Sequence, residues 1–377
     1  MSDSEKTKTA RQAVARRIQQ AIPSFDDVIG EISNTTTKTI YLGIDPTGEL
    51  HIGHTISLLF LRDLALLGHR IIILFGDFTA RIGDPTDKNA ARKTQTKEEV
   101  EKHLAPYASI IKNIIEPATF EVRRNSEWLS NLSFEDVLGL SGKLTVQQMI
   151  ARDMFQERIK AEKPIFMSEF FYPLMQGYDS VAMKVDGEVG GNDQLFNMLV
   201  GRDLVKEILG KEKIVFATKL LVDEKSGKKL GKTENTLIKL SDSPQEIRRK
   251  VLAIDDESIE NIFLLCTTKQ LDWIRDAFDK KTKSPRDLKE ELSNELINLY
   301  HGSGLLDESR APILVQGDTT IEQTLKSAGV IKSNSDIRRL ITQKAIEING
   351  KTIDRWDTKI YSGDEIRVGR GTFLLVK

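Results

Sequence analysis

The chain has 377 residues, of which 39% are hydrophobic and 29% charged, and a formal net charge of -1. That composition belongs to an ordinary soluble protein with room for two or three domains, and any polyanion contact must come from local clusters of charge. The one cysteine, Cys266 in Ile-Phe-Leu-Leu-Cys, excludes an internal disulfide and a multi-thiolate zinc site and reads as a small buried hydrophobe. The N-terminus has no apolar h-region, and no apolar run approaches the roughly 18 residues of a membrane span. A cytoplasmic protein without membrane contact is expected.

Residues 1–35 predict an N-terminal helical segment, with Ala13, Val14, Ile18 and Ala21 at near-helical spacing and Pro23 as its end. From 36 to 235 strand and helix signals alternate, which predicts an α/β domain with a doubly wound parallel sheet. Residues 141–163 read as helix stopped by Pro164. Val185 to Val189 reads as a strand, Asp193 to Leu209 as a helix ended by Gly210, and Lys213 to Leu220 as a strand. Residues 236–306 become helical and charged after Ser243-Pro244, and 307–320, with Pro312 and Gly317, reads as a linker. In 321–377 two short helices precede hairpin-like strands, with Asn349-Gly350 and Ser362-Gly363-Asp364 as turns. This tail carries 11 Lys/Arg against 7 Asp/Glu, a net of +4, which leaves -5 for the rest of the chain.

The strongest chemical signal is His51-Ile52-Gly53-His54. It follows the strand-like Thr39 to Ile44 and the turn Asp45-Pro46-Thr47-Gly48, and it opens an apolar helical stretch closed by Gly68. With His69 to Phe75 as the next strand, this is a βαβ unit, and ligands bind at the carboxyl end of such strands. Helix-start N–H groups face an anion, two imidazoles donate to phosphate, and Gly53 lets a flat purine approach the backbone. About 175 residues downstream, Lys228-Lys229-Leu230-Gly231-Lys232-Thr233 sets lysines and a threonine around one glycine, which suits a triphosphate. Alone, such a run is usually a solvated loop; paired with the histidines it reads as a phosphate site.

These two motifs resemble the HIGH and KMSKS signatures of class I aminoacyl-tRNA synthetases, with Leu230 and Gly231 replacing the common Met and Ser. Residues 41–47, 82–85 and 172–179 narrow the resemblance to bacterial-type tyrosyl-tRNA synthetases, and 335–351 is similar to an S4 RNA-binding domain. The resemblance implies a Rossmann-like catalytic domain over 36–235, a helical anticodon-side domain over 236–306, and a small α+β S4-like domain over 321–377. It implies that Tyr41 and Asp179 face the phenol of L-tyrosine, which needs both a donor and an acceptor. Asp84, Tyr172 and Gln176 are implied for the ammonium, with Thr79 on the same wall, and Gln194 for the carboxylate. Gly43, Asp45, His51, Gly53, His54, Gly191, Asp193 and Lys232 are implied in ATP binding, Gly191 and Asp193 at the ribose. Thr47, His51, His54, Lys229, Lys232 and Thr233 are implied in stabilising charge on the phosphates, and Lys88 and Arg92 in reaching pyrophosphate. Glu188 stands where several relatives carry Gln.

The implied activity is that of a tyrosine–tRNA ligase, in which tyrosine attacks the α-phosphate of ATP and then passes to the terminal adenosine of tRNA(Tyr). Mg²⁺ accompanies ATP, and no zinc is expected. Arg338, Arg339, Lys344 and Lys351 are candidates for RNA phosphates. A homodimer is implied, with the apolar helices near 125–160 as its interface. Three other readings stay open: a tryptophanyl enzyme, a small-molecule nucleotidyltransferase, and a non-catalytic RNA-binding protein descended from a synthetase.

Overall fold

The computed structural model describes residues 2–82, 96–116, 118–222, 237–302, 313–315, 319–331, 333–369 and 372–376. Helix α1 (Asp3–Arg17) opens on a capping box in which the Ser2 hydroxyl and the Glu5 carboxylate each accept from the other's backbone N–H. It ends at Arg17, and β1 (Ile18–Ile22) follows, where the spacing predicted helix as far as Pro23. Pairing overrides the helical spacing: β1 lies antiparallel to the strand Ile214–Thr218, with Ile18 and Ala21 buried.

After α2 (Phe25–Ser33) come β2 (Thr39–Ile44), α3 (Ile52–Leu66), β3 (Arg70–Phe75), α4 (Lys97–Ile115) and β4 (Glu121–Arg124), which make two successive βαβ units. An all-helical stretch intervenes: α5 (Ser126–Leu129), α6 (Phe134–Ser141), α7 (Val146–Ile150), α8 (Asp153–Lys160) and α9 (Met167–Ala182). The helix predicted over 141–163 is therefore broken, because Thr145 and Gln148 form a capping box that starts a new helix. Then β5 (Gly187–Gly191), α10 (Leu195–Leu209) and β6 (Ile214–Thr218) complete the sheet, in the order β1-β6-β5-β2-β3-β4. All pairs are parallel except β1 with β6. The chain winds from β2 outward through β3 and β4, then returns to place β5 on the other side of β2. The β2–β5 boundary is thus the topological switch point, where a doubly wound sheet forms its ligand crevice.

Two compact units are distinguished, one of Met1–Lys232, Lys239–Ser241 and Glu260–Leu271, the other of Thr233–Ile238, Asp242–Ile259 and Asp272–Lys377. Helices α11 (Pro244–Leu252), α12 (Ile259–Cys266), α13 (Leu271–Asp279) and α14 (Pro285–His301) follow β6, and in the second unit α11 packs on α14. The tail contains β7 (Ile313–Val315), β8 (Thr319–Thr320), α15 (Ile321–Ser327), α16 (Asn334–Thr342), β9 (Ile346–Ile348), β10 (Lys351–Thr352), β11 (Lys359–Ile360), β12 (Glu365–Val368) and β13 (Thr372–Val376). Its five-stranded sheet runs β10-β9-β12-β13-β7, and β8 pairs with β11. Ile321, Leu325, Ile337, Ile346, Ile366 and Leu374 belong to its core. The segment predicted as linker thus contributes two strands, since the aliphatic run 313–315 satisfies its backbone along β13.

In the first unit, two arginines at the end of α1 receive the carboxyl end of α12. Arg16 donates to the carbonyls of Phe263, Leu264, Thr267 and Lys269, and Arg17 to those of Leu265 and Thr267. These are the orphan carbonyls of a helix terminus, for which a guanidinium fork is well matched. Arg17 is buried and also pairs with Asp63 at 2.6 Å. Arg17→Met is expected to lower unfolding free energy by about 3 kcal/mol, because it leaves Asp63 and the Leu265 carbonyl without their arginine donor. Urea denaturation measures this; a loss under about 0.5 kcal/mol would contradict it.

Candidate active site

The turn after β2 and the start of α3 set one wall. His51 is the N-cap of α3, and its Nδ1 accepts from the Gly53 N–H at 3.2 Å. The His54 Nδ1 accepts from the His51 N–H at 3.1 Å, and the two rings lie 4.2 Å apart. In the neutral tautomer that the Gly53 bond selects, the His51 ring carries its proton on Nε2, as a donor to an anion requires. A Cβ on Gly53 would stand 3.0 Å from the His51 ring, so glycine lets that ring fold over the helix start. Thr47 and Asp45 lie half-buried on the preceding turn, and Gly43 is exposed on β2.

Asp45 is held from two directions: the Thr79 hydroxyl donates to its Oδ1 at 2.8 Å and the Tyr172 hydroxyl to its Oδ2 at 2.8 Å. This approach requires Gly76, where a Cβ would fall 1.9 Å from Asp45 Oδ1 and 2.4 Å from Thr79 Oγ1. Helix α9 supplies the opposite wall. Tyr172, Gln176 and Asp179 recur at i, i+4 and i+7 and therefore share one face. Asp179 is 3% exposed and accepts from Trp128 Nε1 at 2.7 Å and Asn125 Nδ2 at 3.3 Å. Burial pushes its carboxyl well above the ordinary range; the indole and amide donors oppose that, and the charges of Glu188 and Asp45 add to it.

Tyr41 is fully buried, and its hydroxyl shares a 2.9 Å hydrogen bond with Ser180 Oγ. Burial raises its phenol as well, with the Glu188 and Asp179 charges contributing. Tyr41 and Glu188 are direct neighbours across β2 and β5. Glu188 pairs with the wholly buried Lys213 and accepts from Gln176 Nε2 at 3.1 Å. Asn197 Nδ2 donates to both Gln176 Oε1 and Gln194 Oε1 at 3.0 Å. At the end of β5, Asp193 is exposed and Gly191 half-buried, and a Cβ on Gly191 would meet Asp193 Oδ1 at 2.5 Å.

The residues named from sequence on β2, α3, α9 and the β5 turn therefore gather at the carboxyl edge of the sheet about the switch point. Asp84, Lys88, Arg92, Lys229, Lys232 and Thr233 lie outside the described residues. Among the described residues, no group of three or more His, Cys, Asp or Glu is arranged to hold a metal ion. No helix of the described residues is long and apolar enough to cross a membrane. In the tail, Arg338 and Arg339 on α16, Lys344 after it and Lys351 on β10 are all exposed, with Arg339 3.6 Å from Asp336. Sequence reasoning missed Gly76, Asn125, Trp128, Ser180, Asn197 and Lys213. The one available signal was Trp128 in a polar run, since an indole N–H that is buried needs an acceptor.

Comparison with known proteins agrees with this geometry. The model of the tRNA synthetases class I (W and Y) matches residues 33–311, and that of the S4 domain matches 316–376. The chain belongs to the class I tRNA synthetase family of the W and Y type and carries an S4 domain. Within that family it is 33% identical to the tyrosine–tRNA ligase of Carboxydothermus hydrogenoformans over 99% of this chain and 98% of that protein. It is 36% identical to the tyrosine–tRNA ligase of Photobacterium profundum over 92% of each. Among solved structures, a C-terminally truncated mitochondrial tyrosyl-tRNA synthetase of Aspergillus nidulans aligns with TM-score 0.68 at 21% identity, covering 81% of this chain and 97% of that one. The tyrosyl-tRNA synthetase of Archaeoglobus fulgidus complexed with L-tyrosine aligns with TM-score 0.62 at 20% identity, covering 80% and 98%. These two show a shared fold.

A raised carboxyl at Asp179 has a stability consequence of definite sign. The folded chain holds that proton more tightly than the unfolded one, so the cost of the charged form is absent at low pH and grows as pH rises above the ordinary carboxyl range. Without ligand, Asp179→Asn is therefore expected to gain stability relative to the parent as pH rises from about 4 to 7. Thermal melts across that range check this; a difference that shrinks with rising pH would contradict it.

Proposed function

We propose that this chain is a tyrosine–tRNA ligase, which activates L-tyrosine with ATP and then transfers it to the terminal adenosine of tRNA(Tyr). The observation that carries the reading is the buried polar wall of Tyr41 and Asp179 at the switch point beside the paired histidines of α3. A pocket with a phenolic hydroxyl and a carboxylate suits a substrate hydroxyl that both donates and accepts. Phenylalanine has no hydroxyl to use the hydrogen-bonding capacity that Tyr41 and Asp179 keep beyond their bonds to Ser180, Trp128 and Asn125, and forgoes about 0.5–1.5 kcal/mol for each bond not made, more for one to a charged group. Tryptophan has an indole N–H that only donates, so it would satisfy the carboxylate and not the hydroxyl. Near-full-length similarity to curated tyrosine–tRNA ligases supports the same choice.

In the proposed reaction the tyrosine carboxylate attacks the α-phosphate and pyrophosphate leaves. A carboxylate is an adequate nucleophile, so the protein acts by alignment and by stabilising charge on the phosphates. His51, His54 and the N-terminus of α3 donate to those oxygens, with Thr47 beside them; Gly43, Asp45 and Gly53 line the nucleotide. Gly191 and Asp193 meet the ribose, and Gln194 the tyrosine carboxylate. Tyr172, Gln176 and Asp84 surround the ammonium, with Thr79 orienting Asp45. Lys229, Lys232 and Thr233 offset the triphosphate charge, and Lys88 and Arg92 reach the pyrophosphate; these roles and that of Asp84 rest on sequence alone. Mg²⁺ would arrive with ATP, held mainly by phosphate oxygens and water.

The same reading extends to the rest of the chain. Residues 236–306 serve the anticodon side of the tRNA, and 321–377 an S4-like contact in which Arg338, Arg339, Lys344 and Lys351 face phosphates. A homodimer is proposed through the α6–α9 region, where Phe134, Leu138, Val146, Phe166 and Met167 are exposed apolar side chains. The site of action is the cytoplasm.

The test is ATP–pyrophosphate exchange with tyrosine, phenylalanine and tryptophan in parallel. Exchange is expected with tyrosine alone, abolished in Asp179→Ala and reduced by roughly 10²–10³ in kcat in His51→Ala, as for loss of one donor to a transition-state charge. Exchange driven by tryptophan, or none with any of the three from folded protein, would overturn the assignment.

A further inference from the structure

Two of the most deeply buried charges among the described residues lie beside the proposed tyrosine pocket. The Lys213 side chain is 0% exposed and that of Glu188 is 2% exposed, and the two form an ion pair. Desolvating both ions costs several kcal/mol each, and an apolar pair of similar volume would stabilise the fold as well or better. The chain also makes room for the ammonium: a Cβ on Gly201 would stand 2.5 Å from Lys213 Nζ and 3.0 Å from Ser180 Oγ. Two hydrogen-bonded arms leave the pair. Lys213 Nζ donates to Ser180 Oγ at 2.9 Å, and that oxygen bonds the Tyr41 hydroxyl at 2.9 Å. Glu188 Oε1 takes the Gln176 amide at 3.1 Å, and Gln176 continues through Asn197 to Gln194.

We propose that Lys213 and Glu188 are a charge-balanced pair of positioning residues that orient Tyr41 and Gln176 for tyrosine. The proposal rests on the tyrosine-binding reading above. Neither group touches the reacting atoms; each acts through Ser180 or Gln176. The balance matters because the Glu188 carboxylate adds negative charge beside Asp179 and Tyr41. With Lys213 present that charge is offset. With Lys213 removed, an unpaired carboxylate favours a protonated Asp179, which offers one acceptor fewer to the phenol. A neutral Gln at 188 would need no counter-ion and would still accept from Gln176.

The experiment is a mutant cycle of Lys213→Met, Glu188→Gln and the double variant, read by tyrosine-dependent ATP–pyrophosphate exchange and thermal melts. Lys213→Met is expected to raise the KM for tyrosine by about tenfold or more with the KM for ATP unchanged, the size of coupling usual for contacting buried groups. The double variant is expected to bring the tyrosine KM back to within about threefold of the parent. Where a single variant does not fold, the folded double variant decides: near-parental tyrosine KM supports the pair, and a tenfold rise overturns it. Single variants that melt lower with an unaltered tyrosine KM would make the pair merely structural and overturn the proposal. If the parent exchanges with no tyrosine, the functional reading fails before any variant is compared.

Discussion

Keeping carboxylates dry against a parallel sheet is the constraint around which this molecule is arranged. Asp45, Asp179 and Glu188 stand within one polar cluster, and Asp179 and Glu188 are almost wholly removed from water. Isolated buried anions are prohibitive, so each needs donors or a counter-ion. Thr79 and Tyr172 serve Asp45, Asn125 and Trp128 serve Asp179, and Lys213 serves Glu188. The donors come from the turn after β3, β4's end, α5, α9 and the residue before β6, so the cluster also ties those elements together. Such a network is costly as a way to stabilise a fold; it is well suited to hold a polar wall rigid for a ligand that completes it.

The other half of the site works by different physics. The start of α3 brings two imidazoles and a glycine to the positive end of a helix dipole, with no buried charge of its own. In the proposed reaction one side recognises a neutral hydroxyl through desolvated partners and the other receives highly charged phosphates. The switch point between β2 and β5 puts both within reach of one bound substrate pair. The second unit adds a separate small core, with its basic side chains on the outer surface of α16 and β10.

Much of this was legible in the sequence, for identifiable reasons. The βαβ pattern around His51 is local; Tyr172, Gln176 and Asp179 were named by resemblance, and it is α9 that puts them on one face. What escaped was non-local. Ile18–Ile22 has helical spacing but becomes a strand because β6 offers it an edge. The aliphatic run 313–315 is paired by β13, residue 313 with residue 374. Lys213 looks like any lysine before an apolar strand, and its burial is set by Glu188 and by the space at Gly201. Asn125 becomes a hub only once β3 and β4 lie side by side.

The central claim is that the buried Tyr41–Asp179 wall reads a substrate hydroxyl. The most direct measurement is the equilibrium affinity of the intact chain for L-tyrosine and for L-phenylalanine, by calorimetry without ATP. The account expects tyrosine to bind about a hundredfold or more tightly than phenylalanine, since the latter makes none of the hydroxyl's bonds to two buried polar groups. Affinities within about threefold of each other would contradict it.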